Sequence, residues 1–256
     1  MTETLPLRAD VDENPLRRQG LGIELTDKQK LACALRILAR AGCSLDVSGH
    51  ITIVQDESGV MLCNPYGLWL EEVRASDICL VSADGEVLDG PYDVSPAVFI
   101  HTELHRARHD ATVIIHNHGH YGVLLGTMGI VPEVTEQQSC LLADEVVLFH
   151  EYGGVVADTS AGARLAAGVG TASAVLLANH GCLSLAPTLE KAVYKAVVFE
   201  RMCRLNYEAL AAGVKPSVVA DELQSQMKPV LSAFSSQVFW EGAVRQLLAV
   251  EPEVML

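Results

Sequence analysis

Apolar positions along this chain change period several times, and each change marks a new element. Residues 1–22 are polar, carry prolines and show no period, so they are expected to form a loose arm before a single domain over 23–256. Leu31, Ala34, Leu35, Leu38 and Ala39 then recur at helical spacing. Thr26 and Gln29 form a capping box ahead of that stripe, and Gly42 ends the helix. Alternation takes over next. Gly49–Val54 and Val60–Cys63 read as antiparallel strands across a Glu57–Gly59 turn. Ile78–Val81 and Glu86–Leu88 read as another pair across Ala83–Gly85.

The second half intersperses helices with short apolar runs. Pro96 opens a helix over 96–109 carrying Val98, Ile100, His101, Leu104 and His105. A strand runs from Ala111 into His116, and a helix around 120–127 ends near Gly129. Val146–Phe149 is another strand, and Thr159 or Ser160 caps a helix to Ala167. A strand from Ser173 runs into His180. Thr188 opens a long helix to Gly213 whose Leu189, Ala192, Val193, Ala196, Phe199, Cys203, Tyr207 and Leu210 are expected to face a core. Helices over 217–228 and 236–250 close the chain. This order predicts an α/β fold, a three-layer α/β/α sandwich around a central mixed, largely antiparallel sheet.

Bulk composition narrows the function classes. Half of the 256 residues are hydrophobic, enough for a large core. The net charge of −14 argues against nucleic acid and anionic membrane surfaces as partners. No apolar run is long enough to span a membrane. The N-terminus lacks the basic-then-apolar layout of a secretion signal. Seven widely spaced cysteines with no CxxC read as reduced, buried thiols, so a cytoplasmic location is expected. No GxGxxG or GxxxxGK[ST] supports a nucleotide cofactor.

The chemistry concentrates in histidines. Ala111-Thr-Val-Ile-Ile-His116-Asn-His118-Gly119 and Ser173-Ala-Val-Leu-Leu-Ala-Asn179-His180-Gly181 share one design, an apolar run ending in Asn, His and Gly. Alternate strand residues point to one face, so His116 and His118 aim the same way. A lone pair of this kind reads either as buried, hydrogen-bonded histidines or as ligands. Its repetition at His180 favours three imidazoles around one divalent metal with an open coordination position. His101-Thr-Glu-Leu-His105 is neither HExxH nor HxxEH, so a zinc-protease base would be misplaced. His101 and His105 share a helix face, and either packs there or reaches the pocket as an outer group. His120 and Tyr121, just after the ligand strand, are candidate proton donors or extra ligands, and His50 is a candidate substrate contact. Glu133 and Glu136 read as loop residues within reach of the pocket, and His150 as structural.

Taken in order, Gly49-His-Ile-Thr-Ile, Asn64-Pro-Tyr-Gly67, His116-x-His118 and Asn179-His-Gly181 resemble the class II aldolase/adducin family over residues 28–212. The resemblance implies an α/β/α sandwich assembled as a ring-shaped homotetramer, with active sites between neighbouring subunits. It implies His116, His118 and His180 as metal ligands, one ion per subunit, usually Zn²⁺ in the sugar-phosphate aldolases. Fe²⁺ or Mn²⁺ would suit the same imidazoles. The substrate loops then offer His50, Asn64, Tyr66 and Gly67.

Two departures redirect the chemistry. The aldolases carry a catalytic glutamate four residues before the helix histidine that matches His101, and that position is Ala97 here. The phosphate loops are also changed, to Gly49-His50 and Tyr66-Gly67, which disfavours a phosphorylated sugar. Relatives without the glutamate include decarboxylases of aromatic acids and non-haem iron oxygenases acting on aryl 2-oxo or 2-hydroxy acids. The expectation is a metal-dependent carbon–carbon lyase that decarboxylates, or cleaves in a retro-aldol sense, a small aromatic hydroxy or oxo carboxylic acid. Loss of CO₂ needs no base to begin, but it needs a proton afterwards, from His120, Tyr121 or His101. An Fe(II) oxygenase and a non-catalytic adducin-like interaction protein are the alternatives.

Overall fold

A computed structural model describes residue 22 and residues 24–256. The arm expected over 1–22 falls outside the described residues except for Gly22. Among the described residues, helix α1 (Asp27–Arg40) is followed by strands β1 (His50–Val54), β2 (Met61–Cys63), β3 (Cys79–Val81) and β4 (Val87–Asp89). Helix α2 (Phe99–Ala107), β5 (Val113–Asn117), α3 (His120–Met128), β6 (Val146–Phe149) and α4 (Thr159–Val169) follow. The chain ends with β7 (Ala174–Leu177), β8 (Cys182–Ala186), α5 (Leu189–Ala211), α6 (Asp221–Val230) and α7 (Ser236–Leu248).

The strands form one eight-stranded sheet in the order β4-β3-β2-β1-β5-β8-β7-β6. Only the β6–β7 pair is parallel, as a helical crossover through α4 requires. The predicted mixed, largely antiparallel sheet with helices on both faces is therefore what the chain forms. On one face α1, α5 and α7 bury Ile51, Val113 and Ile115 with Leu31, Leu35 and Val193. On the other, α2 and α4 bury Ile114, Leu183 and Leu185 with Ile100 and Leu104. The period of two along β1 and β5 sends alternate side chains to these two layers.

Local signals work as expected at several ends. Thr26 and Gln29 close their capping box on α1, and Thr188 accepts the Lys191 amide at the start of α5. Two expectations change. The α4 cap is Asp158, whose carboxylate accepts the Ala161 amide, rather than Thr159 or Ser160. The strand expected from Ser173 through His180 stops at Leu177, turns, and returns as β8, for which no strand was expected. Asn179 takes a left-handed φ of 56° in that turn, a conformation asparagine tolerates better than most residues. The Leu177 amide bonds Gly181 O at 2.8 Å to close it. His180 is thus a hairpin-turn residue rather than a strand end.

Candidate metal centre

β5 lies between β1 and β8, and this adjacency assembles the site. His50 and His116 are cross-strand partners on one face. His116 faces Leu183 and Asn117 faces Cys182, so the β7–β8 turn arrives beside the end of β5. Potential ligand nitrogens of His116, His118 and His180 consequently lie within 4.8 Å of one another. Gly181 makes the approach possible, because a Cβ there would stand 2.5 Å from Asn117 O and 2.5 Å from His118 Cδ2.

The donor set suits a divalent cation. His116 Nδ1–H donates to the Cys182 carbonyl at 3.1 Å, which leaves Nε2 with a free lone pair. His118 Nε2 lies 3.1 Å from that atom. Two nitrogens sharing one ion at about 2.1 Å each would stand at a comparable separation. Burial lowers the His116 pKa well below the usual imidazole value, helped by His50, His180 and His118. Burial, then His118, lowers His180 to about 4. Burial also lowers His118. All three are therefore neutral near pH 7, the form that ligates metal.

These histidines line a cavity of about 310 Å³ with Ser48, His50, Tyr66, Ala97, Tyr152 and Val156 among its other walls. No Lys, Arg, Asp or Glu lines it among the described residues. Of the sequence-predicted substrate residues, His50 and Tyr66 reach the wall. Asn64 and Gly67 do not. The Asn64 side chain accepts the Ile51 amide at 2.8 Å and donates to Gly49 O at 3.1 Å, pinning the loop to β1. Gly67 provides a left-handed turn, with φ 89°.

The three candidate proton donors also lie off this cavity. His120 and Tyr121 open onto a separate cavity of about 610 Å³ beside Arg201 and Arg204. His101 is fully buried behind His50, its Nε2 2.7 Å from His50 Nδ1. Its Nδ1 is 2.6 Å from Thr52 Oγ1, which lies 2.7 Å from His105 Nε2. His105 Nδ1 then meets Ala111 O at 3.0 Å. Burial holds His50 at about 3, with His118 and His180 adding to the shift. Burial likewise brings His105 to about 4 and His101 well below its ordinary value, with His50, His105 and His116 contributing at His101.

Glu133 and Glu136 do not line the cavity, and Glu136 instead accepts the amides of Gln138 and Ser139.

Sequence reasoning missed several contributors. Glu200 of α5 accepts the Tyr121 and Gly122 amides at 2.8 and 3.0 Å, capping α3 from a distant helix and anchoring the segment after His118. The signal was a lone carboxylate on the buried stripe of α5. Tyr152, Val155 and Val156 come from a loop with no periodicity, and nothing local points them at His180. Thr52 looked like an ordinary strand residue.

The family profile of the Class II Aldolase and Adducin N-terminal domain matches residues 29–207. A Streptomyces roseochromogenus protein named 4-hydroxy-3-prenylphenylpyruvate oxygenase/4-hydroxy-3-prenylbenzoate synthase is 31% identical over 198 residues, covering 76% of this chain and 72% of that one. The 3,4-dihydroxyphthalate decarboxylase of Arthrobacter keyseri is 28% identical over 233 residues, covering 87% and 94%. The solved L-fuculose 1-phosphate aldolase of Glaciozyma antarctica superposes with a TM-score of 0.78 at 25% identity, covering 99% of this chain and 97% of its own. Carrying the family's fold and its profile through most of its length, the chain belongs to the class II aldolase and adducin family.

Proposed function

We propose that this protein is a divalent-metal-dependent carbon–carbon lyase that decarboxylates a small aromatic hydroxy or oxo carboxylic acid. The observation that carries the reading is the trio of neutral imidazoles converging in a cavity walled by Tyr66, Tyr152 and Ala97. A bound Zn²⁺, or Fe²⁺ or Mn²⁺, would supply Lewis acidity toward the acid group and the negative charge left by departing CO₂. His116, His118 and His180 would hold it. Tyr66 and Tyr152 would flank an aryl ring, which the absence of cationic side chains from the wall also favours over a phosphate. Ala97 holds no proton, which suits a reaction that starts without a base.

The decarboxylase and aldolase names among the relatives support a lyase. His120 and Tyr121 lie off their own chain's cavity. In the homotetramer expected of the family, with sites between subunits, they would be offered as proton donors to a neighbouring copy. The cell's cytoplasm is the compartment that suits seven free thiols.

Metal analysis joined to a panel of aryl hydroxy and oxo acids tests this, with CO₂ release and O₂ uptake followed together. CO₂ release without O₂ uptake is the expected result. Fe(II)-dependent O₂ uptake would instead establish the second reading, an oxygenase, which the oxygenase-named relative favours. Metal content below about 0.2 per chain, with no turnover, would leave a non-catalytic adducin-like role.

A further inference from the structure

His50, His101, Thr52 and His105 form an unbranched chain of hydrogen bonds that starts at the cavity wall and ends on a backbone carbonyl. A carbonyl only accepts, so the direction of every bond follows from that end. His105 Nδ1–H donates to Ala111 O at 3.0 Å, which leaves Nε2 of the neutral ring as an acceptor. The Thr52 hydroxyl fills it at 2.7 Å. Having given its one proton, Thr52 Oγ1 must accept, and His101 Nδ1–H donates to it at 2.6 Å. His101 Nε2 is then an acceptor, filled by His50 Nδ1–H at 2.7 Å. The last free position is His50 Nε2, a lone pair with no protein partner among the described residues. It is not among the buried atoms left unpaired, and His50 lines the cavity. His50 also stands outside the set of three nitrogens within 4.8 Å.

We propose that His50 is a hydrogen-bond acceptor for a ligand hydroxyl, with Thr52, His101 and His105 as positioning residues that lock its acceptor nitrogen toward the cavity. The site then takes 2-hydroxy acids in preference to the matching 2-oxo acids. A hydroxyl beside the acid group has a proton to give to His50, whereas a keto oxygen has only lone pairs and would face another lone pair. The inference rests on the reading that an aryl acid occupies this cavity. The chain holds no second outlet for a proton, because both His105 nitrogens are engaged. The relay therefore sets orientation and does not conduct.

Long-range ¹H–¹⁵N spectra of ¹⁵N-histidine-labelled full-length protein separate the two neutral tautomers. His50, His101 and His105 are all expected as Nδ1–H. A His50 carrying its proton on Nε2 would overturn the proposal. Mandelate and benzoylformate serve as probes of the zinc-loaded protein by calorimetry. Mandelate is expected to bind about tenfold more tightly, the worth of one neutral hydrogen bond. Thr52→Val is expected to remove that preference and mix the His50 tautomers, and Thr52→Ser to restore both. Equal affinities for the two acids in the wild type, or a preference that survives Thr52→Val, would also overturn it. Failure of zinc uptake with the Nδ1–H pattern intact would instead sink the metal reading while leaving the orientation of His50 established.

Discussion

Two sets of three histidines share one side of this sheet, and they differ in what their nitrogens meet. In His50, His101 and His105 the nitrogens are consumed in series, except His50 Nε2. In His116, His118 and His180 the facing nitrogens meet mainly each other, with His116 Nε2 and His118 Nε2 3.1 Å apart. Both sets are buried enough to be neutral, so charge does not separate them. Acceptors do. One chain ends on Ala111 O through Thr52, and the other has, among the described residues, only Cys182 O behind His116. An imidazole cluster becomes a scaffold where fixed donors and acceptors alternate, and a cation site where lone pairs converge with nothing between them.

The contrast can be broken hardest on the ligand side. His118→Ala is expected to drop bound metal below about 0.2 per chain and turnover by more than about 1000-fold, measured by metal analysis and CO₂ release. Full metal content in that variant would dissolve the distinction between the sets. On the scaffold side, Thr52→Val should leave metal content unchanged and lower kcat/KM by about 10–100-fold, the range seen when groups behind a working residue are removed. Glu200→Ala should weaken the ligand set alone. It leaves the Tyr121 and Gly122 amides without their acceptor and is expected to cost about 1–3 kcal/mol in urea unfolding, with the His50 tautomer unchanged.

The smallest effect is a pH dependence carried by the scaffold. Folding lowers His105 from 6.5 to about 4 through burial, so the unfolded chain binds more protons than the folded one between those values. Stability from this source is full above about pH 6.5 and falls as pH drops toward 4. His105 accounts for about 1–2 kcal/mol of the stability that chelator-treated protein loses between pH 7 and pH 5, so His105→Gln should shrink that loss by this amount and leave the share carried by His50, His101, His116, His118 and His180. A slope unchanged by the substitution would assign the loss to other groups.

Much of the architecture was legible because its signals are local. A capping box, a 3.6 period or a glycine turn acts within a few residues, so α1, α5 and the β1–β2 hairpin could be read directly. The β7–β8 hairpin could not. Residues 173–186 form nearly one apolar run, and a single left-handed residue, Asn179, folds it in two. The placement of His120 and Tyr121 shows the same limit. Alternation carries His116 and His118 to one face, but a helix starts at His120, and its period turns the following side chains away from the cavity.

Read alone, the chain points to a class of chemistry: an HxH pair and a repeated Asn-His-Gly ending, an alanine where the resemblance implies a carboxylate, and a net charge of −14 that argues against nucleic acid as a partner. Those are properties of residue type and spacing, which need no distant partner. Which nitrogen faces which neighbour is different in kind. It depends on β8 pairing with β5, on α2 lying across β1, and on one carbonyl at Ala111. Hydrogen-bond direction and lone-pair convergence are set by atoms dozens of residues apart, and only the packed sheet and helices bring those atoms within 3 Å or so of each other.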